Sequence, residues 1–301
     1  MRLAIRDDDT SYFTSPAELE AVYAPLGASV PVSLAITPFA VESFHRGDLL
    51  RFYQGAVPRP LGENAELTAC LRQGIAAGRW SVMGHGYTHA YVRVSGQSLI
   101  QECVWKDDAR LGREAALGRE YLEETLGCTV RAFVPPGNTI RLSALRAIGA
   151  TFPHLLTTVP ARRWREFLPF PKAAGMLARR FAYEVLHGGP NPRPERFGSA
   201  WLLPSLSLTA SSSWDSLVDR FAMCRRLNAD LIVAVHYWEL RGAVGEMFYR
   251  FLDYAAQNGA VFAHCDDLFP DAAPPLPTSP REIPRHWKHA FPPDGIQKTN
   301  P

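Results

Sequence analysis

The sequence predicts an α/β protein with a mostly parallel sheet, open or closed into a barrel, in a single domain. Three observations predict it. Short apolar runs alternate with longer amphipathic stretches, helix start and stop residues sit between them, and residues capable of chemistry follow the apolar runs directly. A chain of 301 residues with 47% hydrophobic side chains can bury one barrel-sized core.

Taken in order, residues 3–6 read as the first strand, and Ser15 before Pro16 opens a helix over 15–26 that stops at Gly27. Strand 30–36, helix 67–77 with Gly78 behind it, and strand 80–83 come next. A long helix over 98–126 ends at Gly127, followed by strand 131–134, helix 140–148 stopped by Gly149, and strands 152–157 and 181–185. Helix 213–227, strand 231–235, helix 244–257 and strand 260–263 close the pattern. Residues 158–200 break the alternation and read as an insertion or lid. The domain is expected over 1–269, and the Pro-rich stretch 270–301, without apolar periodicity, is expected to be a C-terminal tail.

Thirty-two basic and 30 acidic side chains leave a formal charge of +2, and no Lys/Arg block interleaves with aromatics, so nucleic acid is not an expected partner. No apolar run is long enough to cross a bilayer, and the first residues carry no apolar signal core. The chain reads as soluble and cytoplasmic, and its oligomeric state is open. Five cysteines, widely spaced and never in a C-x-x-C arrangement, point to buried thiols rather than disulfides or a thiolate zinc site.

Asp7-Asp8-Asp9 follows the first strand, His85 the third, Pro135-Pro136-Gly137-Asn138 the 131–134 run, and His236 the 231–235 run. In parallel α/β architectures the carboxyl ends of the strands converge on one face, so these segments are expected to meet. On a helical turn His85 and His89 would share a face with Cβ atoms roughly 5–6 Å apart. One carboxylate of the Asp run would complete an N/O ligand set for a divalent ion, zinc first, with cobalt, nickel or iron also fitting. Three adjacent acids after an apolar strand need an offsetting cation, for which Arg6 is at hand.

At these residues the chain resembles the polysaccharide deacetylase superfamily (NodB homology, carbohydrate esterase family 4), in particular its divergent deacetylase-like branch. The family's Thr-Phe-Asp-Asp-Gly is similar to Arg6-Asp7-Asp8-Asp9-Thr10 and its His-(Ser/Thr)-x-x-His to His85-Gly86-Tyr87-Thr88-His89. Its Arg-Pro-Pro-Tyr-Gly is similar to Val134-Pro135-Pro136-Gly137-Asn138, and its Leu-His-x-His in part to Val235-His236-Tyr237-Trp238. The resemblance implies a distorted (β/α)7-type barrel with Asp9, His85 and His89 as metal ligands, Asp8 as general base, the Gly137 N–H as oxyanion donor and His236 as general acid. It implies a metal-dependent amide hydrolase that removes an N-acetyl group from an amino-sugar-containing small molecule or glycan, metal-activated water attacking the carbonyl. Tyr87, Pro136, Asn138 and Trp238 are expected against the substrate.

Two positions depart from the family. Val134 replaces the arginine that holds the base, and strand parity puts Arg6, or failing it Arg131, in that role. Trp238 replaces the histidine that would support His236, leaving Glu239, Asp266 and Asp267 as candidate partners. These departures motivate one alternative, a non-catalytic saccharide-binding or regulatory protein on a decayed deacetylase fold. A non-haem iron oxygenase would use the same ligand types, but on antiparallel folds with His-x-Asp spacing.

Overall fold

The structure, a computed structural model, describes residues 1–27, 29–44, 52–94, 98–158, 174–187 and 190–270. The expected tail beyond Pro270, and positions 159–173 and 188–189 of the expected insertion, lie outside the described residues. The main sheet comprises β1 (Arg2–Thr10), β2 (Val32–Ile36), β3 (Trp80–Gly84), β4 (Ala132–Phe133), β5 (His154–Leu155), β6 (Glu195–Phe197), β7 (Ala200–Leu202), β8 (Leu206–Ser207), β9 (Leu231–Val235) and β10 (Val261–Ala263). Its order is β6-β7-β5-β4-β3-β2-β1-β9-β8, with β10 paired to the start of β1. Every pairing is parallel except β6 with β7.

The helices are α1 (Pro16–Tyr23), α2 (Ala65–Ala76), α3 (Glu102–Trp105), α4 (Asp108–Leu126), α5 (Leu142–Gly149), α6 (Ala174–His187), α7 (Trp214–Arg226) and α8 (Gly242–Gln257). Together they give the expected distorted (β/α)7-type barrel, with β6 and β8 at the two ends of the sheet path. None of the described helices is long and apolar enough to cross a membrane.

Strand alternation sorts the core. Leu3 and Ile5 of β1 point outward into the larger apolar cluster that packs under the helices. Ala4 points inward, where Ala35, Met83, Ala132, Val134, Leu156 and Ile232 fill the barrel. Each fully buried Leu or Ile contributes about 1.5–3 kcal/mol. The far end of the barrel is plugged by the turn Cys265–Leu268 and Phe269: the Cys265 N–H donates to Ser33 Oγ at 2.9 Å, and His154 stacks on Phe269 at 4.1 Å. Ala4, Arg6 and Asp8 thus climb the interior of β1 toward the open mouth.

Three sequence expectations are corrected. Residues 181–185 lie inside α6, where Ala, Leu, Arg and Glu outnumber β-formers, and the neighbouring strands β6, β7 and β8 were too short to show a period. The expected helix over 98–126 begins as a hairpin strand, Ser98–Gln101, paired with Tyr91–Val94. It then makes the single turn of α3, breaks at extended Lys106, and restarts with Asp107 accepting the Arg110 N–H at 2.8 Å. Gly149 closes α5 rather than following it, and its lack of a side chain serves packing instead of a helix stop, since a Cβ there would stand 3.0 Å from Ala200 Cβ.

Candidate metal centre

The Asp run serves three surroundings because β1 does not stay regular. Asp7 registers with Leu34 but Thr10 with Ile36, so one extra residue is accommodated opposite β2, and Asp9 takes a left-handed φ of +72°. Asp7 keeps the outward parity, accepts the Tyr237 N–H at 2.9 Å, and is pushed well above the usual carboxylate range by burial. Asp8 points into the barrel, and the bulge turns Asp9 toward the histidines.

His85 and His89 sit on a loop, not the expected helical turn. Gly86 and His89 have φ of +68° and +55°, yet the two rings come within 5.0 Å. The loop is wrapped around the carboxylate of Glu102, which is 1% exposed. The N–H groups of Tyr87 and His89 donate to Glu102 Oε1 at 2.7 and 3.1 Å, and the N–H and hydroxyl of Thr88 to Oε2 at 3.2 and 3.1 Å. Lys106, also buried, donates to the same carboxylate at 2.5 Å and to Glu114 at 2.6 Å. Burial alone would raise the Glu102 carboxyl, but Lys106 and the loop N–H groups outweigh it and hold it at about 2.

Asp9, His85 and His89 each offer one ligand atom, and these lie within 4.8 Å of one another. His85 Nδ1–H donates to the Val134 carbonyl at 3.0 Å, since a carbonyl only accepts, and Nε2 contacts Asp9 Oδ1 at 3.1 Å; in the neutral ring Nε2 is the nitrogen whose lone pair a cation would take. His89 Nε2 is buried, 3.2 Å from the same Asp9 oxygen, with no hydrogen-bond partner. Burial would raise the Asp9 carboxyl, but the two imidazoles outweigh it and hold it well below the usual range. Two imidazole nitrogens and one carboxylate oxygen converging with no other function fit a divalent cation.

Arg6 faces Asp8 as strand parity requires. Its fully buried guanidinium donates to Asp8 Oδ2 at 2.6 Å, Asn138 Oδ1 at 2.8 Å, Ser205 Oγ at 2.8 Å and the Leu156 carbonyl at 3.3 Å. Asp8 Oδ1 is buried without a partner. On the other flank of Asp9, His236 Nε2 stands 3.6 Å from Oδ2, its ring stacked on Trp238 at 4.9 Å.

No family model and no curated protein matches the chain. Solved structures do. A protein from Mycobacterium smegmatis assigned as a polysaccharide deacetylase superposes with a TM-score of 0.52 at 10% identity, over 93% of this chain and 95% of that one. The chain has the polysaccharide deacetylase fold. The family 4 carbohydrate esterase from Streptomyces lividans, solved with acetate, gives 0.46 at 12% identity over 87% and 91% of the two chains. A CE4 family pseudoenzyme from Bacillus anthracis gives 0.44 at 10% identity over 89% and 64%.

On this polysaccharide deacetylase fold, Asp8, Asp9, His85, His89 and His236 come together as their strand-end positions predict, with Arg6 behind Asp8. Gly137 lies exposed in the loop after β4 with φ of +59°, and Asn138 beside it bonds to Arg6. Pro136 is buried under that loop, against the histidine loop. Tyr87 is corrected: its side chain turns into the core, 5% exposed and 4.9 Å from the Phe39 ring, so it packs the barrel wall instead of facing a substrate. Among the candidate partners of His236, Glu239 makes the contact, whereas Asp266 pairs with His154 and Asp267 accepts the His264 N–H. Sequence reasoning passed over Glu102 and Lys106, whose i,i+4 spacing reads as an ordinary surface helix pair.

Proposed function

We propose that the protein is a metal-dependent amide hydrolase, most specifically a de-N-acetylase of an amino-sugar-containing small molecule or glycan. One observation carries the reading: a carboxylate and two imidazoles converge within 4.8 Å, beside a second carboxylate anchored by Arg6 and a histidine anchored by Glu239. Zinc is the proposed occupant, since the donor set is nitrogen and oxygen, and cobalt, nickel or iron would suit the same ligands.

Asp9, His85 and His89 would hold the divalent ion, which would supply polarisation of the carbonyl and acidification of water, from a pKa of 15.7 toward ~7 in favourable zinc sites. Asp8 Oδ1, the oxygen not engaged by Arg6, takes the proton of the attacking water as its oxygen adds to the acetamide carbon. The Gly137 N–H donates to the oxyanion, a contact worth about 3–4 kcal/mol in comparable sites. His236 Nε2–H gives its proton to the amine nitrogen as the C–N bond breaks, and Asn138 and Trp238 line the approach.

A working centre is favoured over a decayed one because Asp8 keeps a guanidinium partner in Arg6 and His236 a carboxylate partner in Glu239 despite the two departures from the family pattern. The test is acetate release from N-acetylated amino sugars by the zinc-loaded protein. Release that stops with chelator and returns with zinc is expected. Binding of the sugar by metal-replete protein without release would overturn the reading in favour of a saccharide-binding protein.

A further inference from the structure

The loop 85–89 owes its shape to one carboxylate outside the ligand set. Its carbonyls are taken up by the scaffold: His85 O by Thr37 Oγ1 at 2.8 Å, Tyr87 O by the Phe39 N–H at 3.1 Å and Thr88 O by the Val41 N–H at 3.0 Å. Its three successive N–H groups, from Tyr87 to His89, all go to Glu102. Left unmade in a buried site, each would cost about 1–3 kcal/mol. A Cβ on residue 86 would stand 1.9 Å from Glu102 Oε1 and 2.7 Å from Pro136 Cγ, so glycine there and the carboxylate beneath it are one device. The preceding residue, Gln101, lies against the other loop of the centre, with Nε2 3.0 Å from where a Cβ on Gly137 would be.

We infer that Glu102, charge-balanced by Lys106, is a positioning residue that forms the His85–His89 loop before any ion arrives, so that ion affinity depends on it although it ligates nothing. The inference rests on the metal reading proposed above. Glutamine at 102 is the sharp probe, because its NH2 group faces either the Tyr87 and His89 N–H groups or the Thr88 N–H and the Lys106 ammonium, whichever way the amide is turned.

The experiment uses the full chain carrying Glu102→Gln, with amide hydrogen exchange measured on metal-free protein and cobalt affinity measured by titration. The Tyr87, Thr88 and His89 amides should exchange at least ten-fold faster while those of β1 and β9 are unchanged, and cobalt affinity should fall at least ten-fold. Unchanged exchange, or unchanged cobalt affinity, overturns the inference. The double variant Glu102→Gln/Lys106→Met restores charge balance without restoring the acceptor. Its affinity should stay low, and recovery to the wild-type value would assign the effect to charge balance and overturn the positioning role. Should Glu102→Gln not fold, Thr88→Val, which removes one bond to the anchor, should raise exchange at Thr88 and weaken cobalt, and no change in either overturns the inference. Wild-type protein that takes up no cobalt overturns the metal reading instead, and the exchange of its three amides then decides by itself whether Glu102 forms the loop.

Discussion

Glu239 Oε2 lies 2.9 Å from Nδ1 of His236, three residues back on the same short turn. The contact fixes the ring so that Nε2 faces Asp9. Burial would lower the His236 pKa, but the Glu239 hydrogen bond, Asp9 and Asp8 outweigh it and carry it up to about 9.

A raised pKa keeps the imidazolium present below its folded value and removes it above, so the acid form persists through neutral pH and is lost as pH rises through about 9. Glu239→Gln should move that loss to lower pH by about one pH unit. The check is an NMR titration of the His236 ring in metal-free protein, and the alkaline limb of kcat/KM should move in the same direction.

Asp8→Asn should lower kcat by roughly 10²–10⁴ while leaving metal content intact, as measured by elemental analysis beside initial rates. Arg6→Met strands a buried carboxylate and should destabilise the fold by about 3–5 kcal/mol, read by urea unfolding. The double variant Arg6→Met/Asp8→Asn should recover part of that stability and none of the activity.

Single alanine substitutions at Asp9, His85 and His89 should each remove the zinc-dependent rise in thermal stability. In the wild type that rise corresponds to about 2.7 kcal/mol when free zinc is a hundred-fold above its dissociation constant. A thermal melt with and without zinc is sufficient, with Asp8→Asn as the variant that keeps the rise.

Glu102 gives the acid stability profile a definite sign. Its pKa falls from 4.5 to about 2 on folding, so it contributes stability above about 4.5 that is lost as pH falls toward 2. The amount is on the order of 3 kcal/mol. Unfolding free energy measured from pH 7 to pH 2 should show a shallower fall in Glu102→Gln than in the wild type.

Strand-end polar residues could be read from the sequence because parallel sheets bring those ends together whatever the loops do. The apolar run Leu231–Val235 coincides with its strand, and side-chain alternation along β1 is enough to pair Arg6 with Asp8. The support of the loop was not legible. Glu102 sits between Gln101 and Cys103 in a stretch that reads as one continuous helix, whereas it opens the single turn α3, which ends at extended Lys106 before α4 begins. Tyr87 misled for a related reason: position next to a ligand says nothing about which way a residue points once a left-handed turn intervenes. Two- and three-residue strands such as β6 to β8 carry too few side chains for alternation to register.

The guanidinium of Arg6 starts on β1, an interior strand of the sheet path, and ends on the backbone and hydroxyl of Leu156 and Ser205 beyond β5 and β7. Its hold on Asp8 and its grip on the opposite wall are the same set of atoms. The spacing of two barrel walls and the aim of the Asp8 carboxylate are therefore set by one and the same side chain.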